Sequence, residues 1–311
     1  MNEYKPEGSL IATPKNYEYI SSKAGLEAAL EKQIILEAVS YMCDHELNLH
    51  VDLPCGIKGV IPKNETQFSY GDETTKDIAI LTRVGKTVCF KVMGFKEGVG
   101  GAVTAILSRR SAQIECMENY IETLIPGDII SAKITHIEKF GAFVDIGCGI
   151  ISLLSIDSIS VSRISHPGER FSVGDTLFTV VKAIDDNRRI FVTTKELFGS
   201  WEENAAMFSE GQTVQGIVRS IESYGIFIEL MPNLSGLAEY KSGIETGKTV
   251  AVYIKSIIPE KMKFKLILID QASAITTRKK LEYFVDVKNT KHIDSWLYSP
   301  KNSKKIVETF F

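Results

Sequence analysis

Three lysines alternate with apolar residues in a segment that reads as a strand. The lysines are Lys261, Lys263 and Lys265, and Met262, Phe264 and Leu266 separate and follow them. Because successive side chains of a strand point to opposite faces, this spacing places the three ammonium groups on one side and the apolar groups in a core. Such a row could contact phosphates. An exposed sheet face with solvated charges explains the pattern equally well.

Two cysteines and two histidines have the side-chain types that bind zinc: Cys43, His45, His50 and Cys55. Neither cysteine belongs to a Cys-x-x-Cys pair, and strand alternation decides the face of His50, so we expect no metal. The sequence has no glycine-rich phosphate loop, no nucleophile elbow, no His-Glu-x-x-His motif and no paired-carboxylate motif on a known scaffold. These absences favour a protein without catalytic activity or a cofactor.

One segment of the chain recurs with its glycines and aromatic residues in place. Residues 126–146 align without a gap on residues 210–230. Self-similarity of this kind is typical of a repeated domain. The alignment superimposes aromatic residues at two positions, Phe140 on Tyr224 and Phe143 on Phe227.

Each aromatic pair contains a glycine directly after its first ring, Gly141 or Gly225. Side chains three residues apart on a regular strand point to opposite faces, so the two rings would not share a surface. A β-bulge at the glycine would insert one residue and turn both rings towards one groove, where they could stack on flat groups. The alternative is that all four rings are core residues of ordinary strands.

Apolar residues alternate with polar ones through the repeat, which predicts strands. In the middle copy we expect them near residues 130–134, 140–146, 150–156, 176–184 and 189–194, with turns at 174–175 and 185–188. A more divergent copy begins at residues 34–62 and closes with a strand at 102–108. Three β-modules in series are therefore expected.

Two short segments between the modules have helical spacing instead. Ile114, Met117 and Ile121 form one apolar stripe, and Trp201, Ala205 and Phe208 form another. The second stripe follows Ser200, whose spacing to Glu203 suits a capping box. We expect linker helices that pack against barrel ends.

The middle repeat resembles the S1-type RNA-binding domain. The resemblance rests on Gly127-Asp128, the run Phe140-Gly-Ala-Phe-Val-Asp-Ile-Gly147, His166-Pro167, Val173-Gly-Asp175 and the turn between Ile184-Asp185 and Arg189-Ile190. It is strong over residues 125–197, clear over 209–270 and weak over 33–109. It implies OB-fold barrels, and members of this family bind single-stranded RNA in ribosomes, ribonucleases and translation or transcription factors.

The resemblance also implies an RNA-binding platform of two aromatics, a histidine, and an aspartate and an arginine around the last turn. In the middle repeat these positions hold Phe140, Phe143, Ser155, Asp185 and Arg189, so the histidine is missing. The third repeat has Tyr224, Phe227 and Glu239, and its last turn is Pro259-Glu260-Lys261. The first repeat has Leu47, His50 and Pro62, which favours a structural or protein-contact role. Lys139 and Arg189 would complement phosphates beside the rings, or they are ordinary solvated charges.

Composition limits the mode of binding. The formal net charge of the 311 residues is -3, which argues against attachment to nucleic acid by bulk electrostatics. Acidic residues predominate in 111–208 and basic ones in 271–311. Five cysteines without a Cys-x-x-Cys pair indicate a reducing compartment, and no apolar run is long enough to cross a bilayer. With a charged N-terminus unlike a signal peptide, we expect a cytoplasmic protein that does not contact membranes.

The C-terminal region mixes basic and aromatic residues. They are Arg278, Lys279, Lys280, Tyr283, Phe284, Trp296 and Tyr298. This mixture could extend an RNA track, or it could belong to a small β-appendage that closes the third barrel.

The predicted fold is dominated by β-structure, with three tandem five-stranded OB-fold barrels, short linker helices and a small C-terminal β-containing extension. The expected segments are a partly helical N-terminal segment 1–32, a divergent barrel 33–109, a linker helix 110–124, an RNA-binding barrel 125–197, a linker helix 198–208, an RNA-binding barrel 209–270 and a basic extension 271–311.

The predicted function is binding of single-stranded RNA, in particular mRNA, with low sequence preference and with the small ribosomal subunit as a further partner. Stacking on aromatic rings tolerates any base, which is why low preference is expected. The alternative is a scaffold that binds proteins of a translation or RNA-decay complex, whose acidic middle repeat repels RNA. An enzyme would require catalysis without a visible motif.

Overall fold

The computed structural model describes residues 4–69, 76–271 and 281–311. By contacts the chain divides into two compact units. The first comprises residues 1–124, 131–133 and 145–151, and the second comprises the rest. Three closed five-stranded barrels and a two-stranded C-terminal sheet are present, which confirms the predicted fold class.

The first barrel has the strand order β1-β2-β3-β5-β4, with β3 and β5 parallel. Its strands are β1 (Leu36–Cys43), β2 (Leu49–Asp52), β3 (Lys58–Ile61), β4 (Thr87–Glu97) and β5 (Val103–Ser108). Alternate residues such as Leu49 and Val51 fill the interior, as period-two strands require. The helices of this region are α1 (Pro14–Ile20), α2 (Lys23–Glu31) and α3 (Asp77–Leu81). Ile20 and Leu26 extend the same core.

A buried ionic cluster in the first unit holds the N-terminal segment. The Glu7 carboxylate accepts hydrogen bonds from Arg109 Nε (2.7 Å) and Nη2 (3.1 Å) and from the Cys89 amide (3.0 Å), and Arg83 lies 3.5 Å away. Arg109 opens helix α4 (Arg109–Asn119) and is fully buried. The Glu7 amide donates to Asp145 Oδ2 at 2.7 Å. Burial of two charges is offset here by close pairing and by extra hydrogen bonds.

The middle and third barrels repeat one topology. The middle strands are β6 (Ile129–Glu138), β7 (Gly141–Asp145), β8 (Ile151–Ser155), β9 (Thr176–Ile184) and β10 (Ile190–Thr193), in the order β10-β8-β7-β6-β9. The third are β11 (Thr213–Glu222), β12 (Gly225–Met231), β13 (Leu234–Ala238), β14 (Thr249–Ile258) and β15 (Lys263–Gln271), in the order β11-β12-β13-β15-β14. In both barrels the third and fifth strands pair in parallel.

Helix α5 (Trp201–Ala205) begins at the predicted capping box. Ser200 Oγ accepts from the Glu203 amide at 3.2 Å, and the Glu203 carboxylate accepts from the Ser200 amide at 2.7 Å. Trp201 is buried, with its ring 5.8 Å from that of Phe264 in the third core. The aromatic residue of this linker therefore packs against a barrel, as expected.

The C-terminal extension forms a sheet of β16 (Ser295–Leu297) and β17 (Glu308–Phe310). Trp296 and Tyr298 are buried against the third barrel, and the Tyr298 hydroxyl donates to the Asn233 carbonyl at 2.6 Å. Tyr283 stacks on Phe198 at 5.8 Å. These rings serve packing, which favours the appendage over an RNA track. Arg278, Lys279 and Lys280 lie outside the described residues.

Gly141 and Gly225 sit where β7 and β12 closely approach a neighbouring strand. A Cβ atom on Gly141 would lie 2.5 Å from the Leu154 carbonyl oxygen, and one on Gly225 would lie 2.6 Å from that of Ala238. The predicted bulge at the glycine is wrong in the third barrel. Strands β11 and β12 pair residue by residue from Glu222 opposite Gly225 to Ser220 opposite Phe227, so no residue is inserted at the glycine. The unpaired residue of the bulge is Arg219, on β11. Glycine is needed for the close approach.

No helix in the described ranges is long and apolar enough to cross a membrane. Within the same ranges no group of three or more histidine, cysteine or acidic side chains is arranged to hold a metal ion. Cys43 and Cys55 pack against the first core, and His50 contacts Asp44 at 3.0 Å.

Stability of the first unit should depend on pH through Asp145. Burial and repulsion from Glu7 raise the pKa of Asp145 to about 7 in the folded protein. Because the folded protein binds the Asp145 proton more tightly than the unfolded chain does, protonated Asp145 contributes to stability. This contribution to the free energy of unfolding is complete below the unfolded pKa and is lost as pH rises through the folded pKa. Urea unfolding should therefore show a lower free energy of unfolding at about pH 8 than at about pH 6.

Asp145→Asn should flatten this dependence, because its amide oxygen can still accept from Gly147 and Gly149 but does not titrate. Asp186→Asn, at an exposed turn carboxyl, is the matched control. An unchanged pH profile in Asp145→Asn would contradict the assignment.

Gly141→Ala should destabilise the protein because its methyl group would overlap the Leu154 carbonyl. Overpacking of this kind costs about 1–3 kcal/mol of unfolding free energy. The control is Gly98→Ala, where the nearest atom lies 3.4 Å from the added carbon and φ is −104°. Equal losses in the two variants by urea unfolding would show that the close approach is not limiting.

Candidate nucleic-acid interface

Two aromatic rings meet on the outside of the middle barrel. Phe140 lies in the β6–β7 turn and is 56% exposed, and Phe143 points outward from β7 between the buried Ala142 and Val144. Their ring centroids are 6.0 Å apart with an interplanar angle of 89°. The predicted pair therefore shares one surface.

The third barrel repeats this arrangement. Tyr224, in the β11–β12 turn, is 68% exposed, and its ring lies 6.1 Å from that of Phe227 at 87°. In each barrel the first ring precedes the strand, so its direction is set by the turn and not by strand alternation. In the third barrel this placement brings the rings together without a bulge at the glycine.

Two further rings on the middle platform were not foreseen. His136 on β6 stacks beside Phe143 at 6.2 Å and 25°. Phe191 on β10 is half-buried, lies outward between the buried Ile190 and Val192, and pairs with Leu153 of β8. Strand alternation in the sequence could have placed both on the outer face. They were missed because the family pattern does not contain them.

A row of cross-strand neighbours defines the equivalent face in the third barrel. Ser220 pairs with Phe227, Phe227 with Leu237, and Leu237 with Lys265. Directly opposed residues share a face, so Lys265 lies on the same side as Phe227. The third platform therefore has a cation two strands from its ring.

Only two of the three lysines of the predicted row lie on a strand. Lys263 and Lys265 are exposed on β15, between the buried Phe264 and Leu266. Lys261 lies in the preceding turn, because Met262 adopts a left-handed conformation with φ of 48° before the strand begins. The prediction of three lysines in one strand was wrong for Lys261.

Asp185 and Arg189 form the β9–β10 turn. The Asp185 carboxylate accepts from the amides of Arg189 (2.8 Å) and Asn187 (2.9 Å) and from Arg189 Nε (3.1 Å). The hydrogen bond from the Arg189 amide is the main cause that lowers the pKa of Asp185. Asp185 therefore stays ionised and orients Arg189, whose side chain is 63% exposed. Lys139 is exposed in the turn beside Phe140.

The first barrel has a different outer face. His50 pairs with Met42 and Val60, and Val60 pairs with Ile106. The ring centroids of Tyr41 and His50 are 6.3 Å apart. Leu47, the other position that aligns with an aromatic, has φ of 65° and packs against the core. At the two aligned positions the first barrel therefore has no pair of phenylalanine or tyrosine rings like that of the other two.

Comparison with known proteins agrees with this architecture. Residues 123–195 match the family described as S1 RNA binding domain. The chain is 29% identical over 180 residues to small ribosomal subunit protein bS1 of Staphylococcus saprophyticus, covering 52% of this chain and 45% of that protein. It is 28% identical over 235 residues to bS1 of Staphylococcus epidermidis, covering 73% and 55%. The chain spans about half the length of the curated relatives it matches.

Among solved structures, a multidomain protein with nucleic acid binding domains from Streptococcus pneumoniae aligns over 78% of this chain and 75% of its own, with 14% identity and a TM-score of 0.24. Residues 123–195, which include the middle barrel, are therefore similar to the S1 RNA-binding domain, and up to 73% of the chain is similar to ribosomal protein bS1.

Proposed function

We propose that the chain binds single-stranded RNA by stacking bases on the outer faces of its middle and third barrels. The observation that carries the proposal is the repeated pair of perpendicular rings, Phe140 with Phe143 and Tyr224 with Phe227, about 6 Å apart in each barrel. The leading ring of each pair is more than half exposed. Large exposed aromatics that recur at equivalent positions are poorly explained by packing.

Phosphate contacts come from a few exposed cations of the same two barrels. In the middle barrel these are Lys139 and Arg189, with Asp185 as the residue that holds the arginine. In the third barrel they are Lys263 and Lys265, and Lys261 lies in the adjacent turn. Because the chain is slightly acidic overall, binding depends on stacking more than on counterion release.

Low sequence preference follows from this chemistry, because every base has a face that can stack. Two platforms on one chain increase affinity through the effective concentration of the second contact.

We further infer that the RNA is mRNA and that the chain acts in translation, with the small ribosomal subunit as a partner. Similarity to bS1 supports this inference.

A second candidate function is a protein scaffold in a translation or RNA-decay complex. The first barrel favours it, because the outer row there consists of Met42, Val60 and Ile106 around His50, and Tyr41 is 50% exposed. Protein surfaces rich in methionine and tyrosine suit protein contacts.

Phe140→Ala/Tyr224→Ala should weaken single-stranded RNA binding. Stacking on an aromatic contributes about 1–3 kcal/mol per base, so each lost ring corresponds to an affinity loss of about 5- to 150-fold. Fluorescence anisotropy of labelled RNA at low and moderate salt measures the loss, with duplex RNA as the ligand control. Tyr17→Ala removes a ring that is 60% exposed on α1 and is the matched protein control.

Unchanged binding in the double variant that disappears with salt would instead locate the contact in the basic C-terminal region. No binding by the wild type would favour the scaffold.

Phe191→Ala should weaken binding to the middle platform if its ring extends the stacking surface. The variant is best made with Tyr224→Ala, so that the middle barrel dominates the signal. We expect at least about a 5-fold loss of affinity, with Phe191→Tyr retaining most of it because a tyrosine ring stacks similarly. If Phe191→Ala binds as tightly as its parent, β10 lies outside the RNA path.

A further inference from the structure

A segment of the middle barrel is hydrogen-bonded at both ends to the third barrel. This bridging segment comprises residues 161–170, between β8 and β9, and lies with the third barrel in one compact unit. At its start, the Val161 amide donates to Asn233 Oδ1 at 3.0 Å and the Ser162 amide donates to the Pro232 carbonyl at 3.1 Å. Its first anchor is therefore the β12–β13 turn.

The second anchor is a buried ionic network. Arg170 donates to both oxygens of Glu229, at 2.6 and 2.5 Å. Arg219 donates to Glu229 from Nε at 2.7 Å and from Nη2 at 3.2 Å, and its Nη1 contacts Glu169. Glu229 is 4% exposed, so two guanidinium groups neutralise a carboxylate that water barely reaches.

This anchor lies directly beside the third platform. On β12 the side chains of Ile226 and Ile228 fill the core, so Phe227 and Glu229 both point outward. Residues two apart on a strand are separated by about 7 Å. Arg219 is the bulged residue next to Ser220, which pairs with Phe227. The bridging segment therefore borders the surface on which Phe227 and Tyr224 present their rings.

Between its anchors the bridging segment exposes two side chains that suit a phosphodiester backbone, Arg163 and His166. His166 Nδ1 accepts a hydrogen bond from the Gly168 amide at 3.0 Å. The neutral ring therefore carries its proton on Nε2, which is left to donate outward.

Glu169 does not present an unbalanced charge in this segment. Its Oε1 accepts from the amides of Ser165 (2.9 Å) and His166 (3.0 Å) and from the Ser165 hydroxyl (2.6 Å), and its Oε2 contacts Arg219.

We propose that the bridging segment is one wall of the RNA groove of the third barrel. Arg163 and the Nε2–H group of His166 contact the phosphates of the strand whose bases stack on Tyr224 and Phe227. This inference rests on the proposed RNA binding and adds a middle-barrel element to the site of the third barrel.

The test isolates the third platform within the full chain. Phe140→Ala/Phe143→Ala/Phe191→Ala removes the three phenylalanine rings of the middle platform and serves as the background, and Arg163→Ala/His166→Ala is added to it. The probes are labelled single-stranded oligouridine and oligoadenosine, titrated by anisotropy across a range of salt concentrations. Affinity should fall at least about 5-fold for both sequences, and the slope of log K against log salt should become shallower by about 0.7 for the arginine contact.

The matched control in the same background is Lys23→Ala/His45→Ala, which removes one exposed cation and one exposed histidine from the first unit. His166→Gln with Arg163 intact should recover most of the affinity, because the glutamine amide also donates. Urea unfolding should not change in Arg163→Ala, whose side chain is exposed, and should change in His166→Ala only through loss of the hydrogen bond that Nδ1 accepts from the Gly168 amide.

Three results would overturn the inference. If the wild type fails to bind RNA, the proposed function fails and the inference with it. If the wild type binds but the background loses all binding, the third platform does not act as a site of its own. If the background binds and Tyr224→Ala weakens it, while Arg163→Ala/His166→Ala changes neither affinity nor salt slope, RNA binding stands and the wall is absent.

Discussion

Closure of a five-stranded sheet into a barrel is the constraint on which the rest of this structure depends. In a closed barrel every strand has two neighbours, and its residues divide strictly into an inner and an outer set. The inner set must be apolar and small enough to fill a narrow interior, as Ala142 and Val144 are in β7. The outer set is free to vary. The three barrels accordingly have interiors of the same apolar kind and differ outside. Two of them carry pairs of phenylalanine or tyrosine rings, and the first carries His50 among methionine, valine and isoleucine.

Much of this division was accessible from the sequence because it repeats with a period of two. The internal repeat predicted three β-modules, and the aligned glycines predicted that the two rings of each pair, Phe140 with Phe143 and Tyr224 with Phe227, share a surface within their own barrel. The bulge predicted to turn the two rings towards one surface was wrong in the third barrel. The ring direction comes from the turn before the strand, and a turn conformation is not encoded in strand periodicity.

Other features depend on residues distant in sequence. Glu7 and Arg109 are 102 positions apart, and nothing local to either predicts a buried pair. In the sequence Glu229 is one polar residue of an alternating strand. Only the structure shows that Arg170 of the middle barrel binds it. Met262 displaces Lys261 from β15 through a left-handed backbone that non-glycine residues rarely adopt. His136 and Phe191 had the right alternation, but no family position drew attention to them.

The parallel pairing of the third and fifth strands has a consequence for synthesis. In the first barrel Lys58 pairs with Thr104, so β3 gains its second neighbour only after the whole β4 region has been made. A nascent chain that ends before Val103 therefore has an open sheet with an unpaired strand edge. Each barrel closes only when its last strand leaves the ribosome, so the three barrels complete in sequence from the N-terminus. A pause of translation within a barrel therefore leaves an unpaired strand edge exposed, whereas a pause between barrels does not.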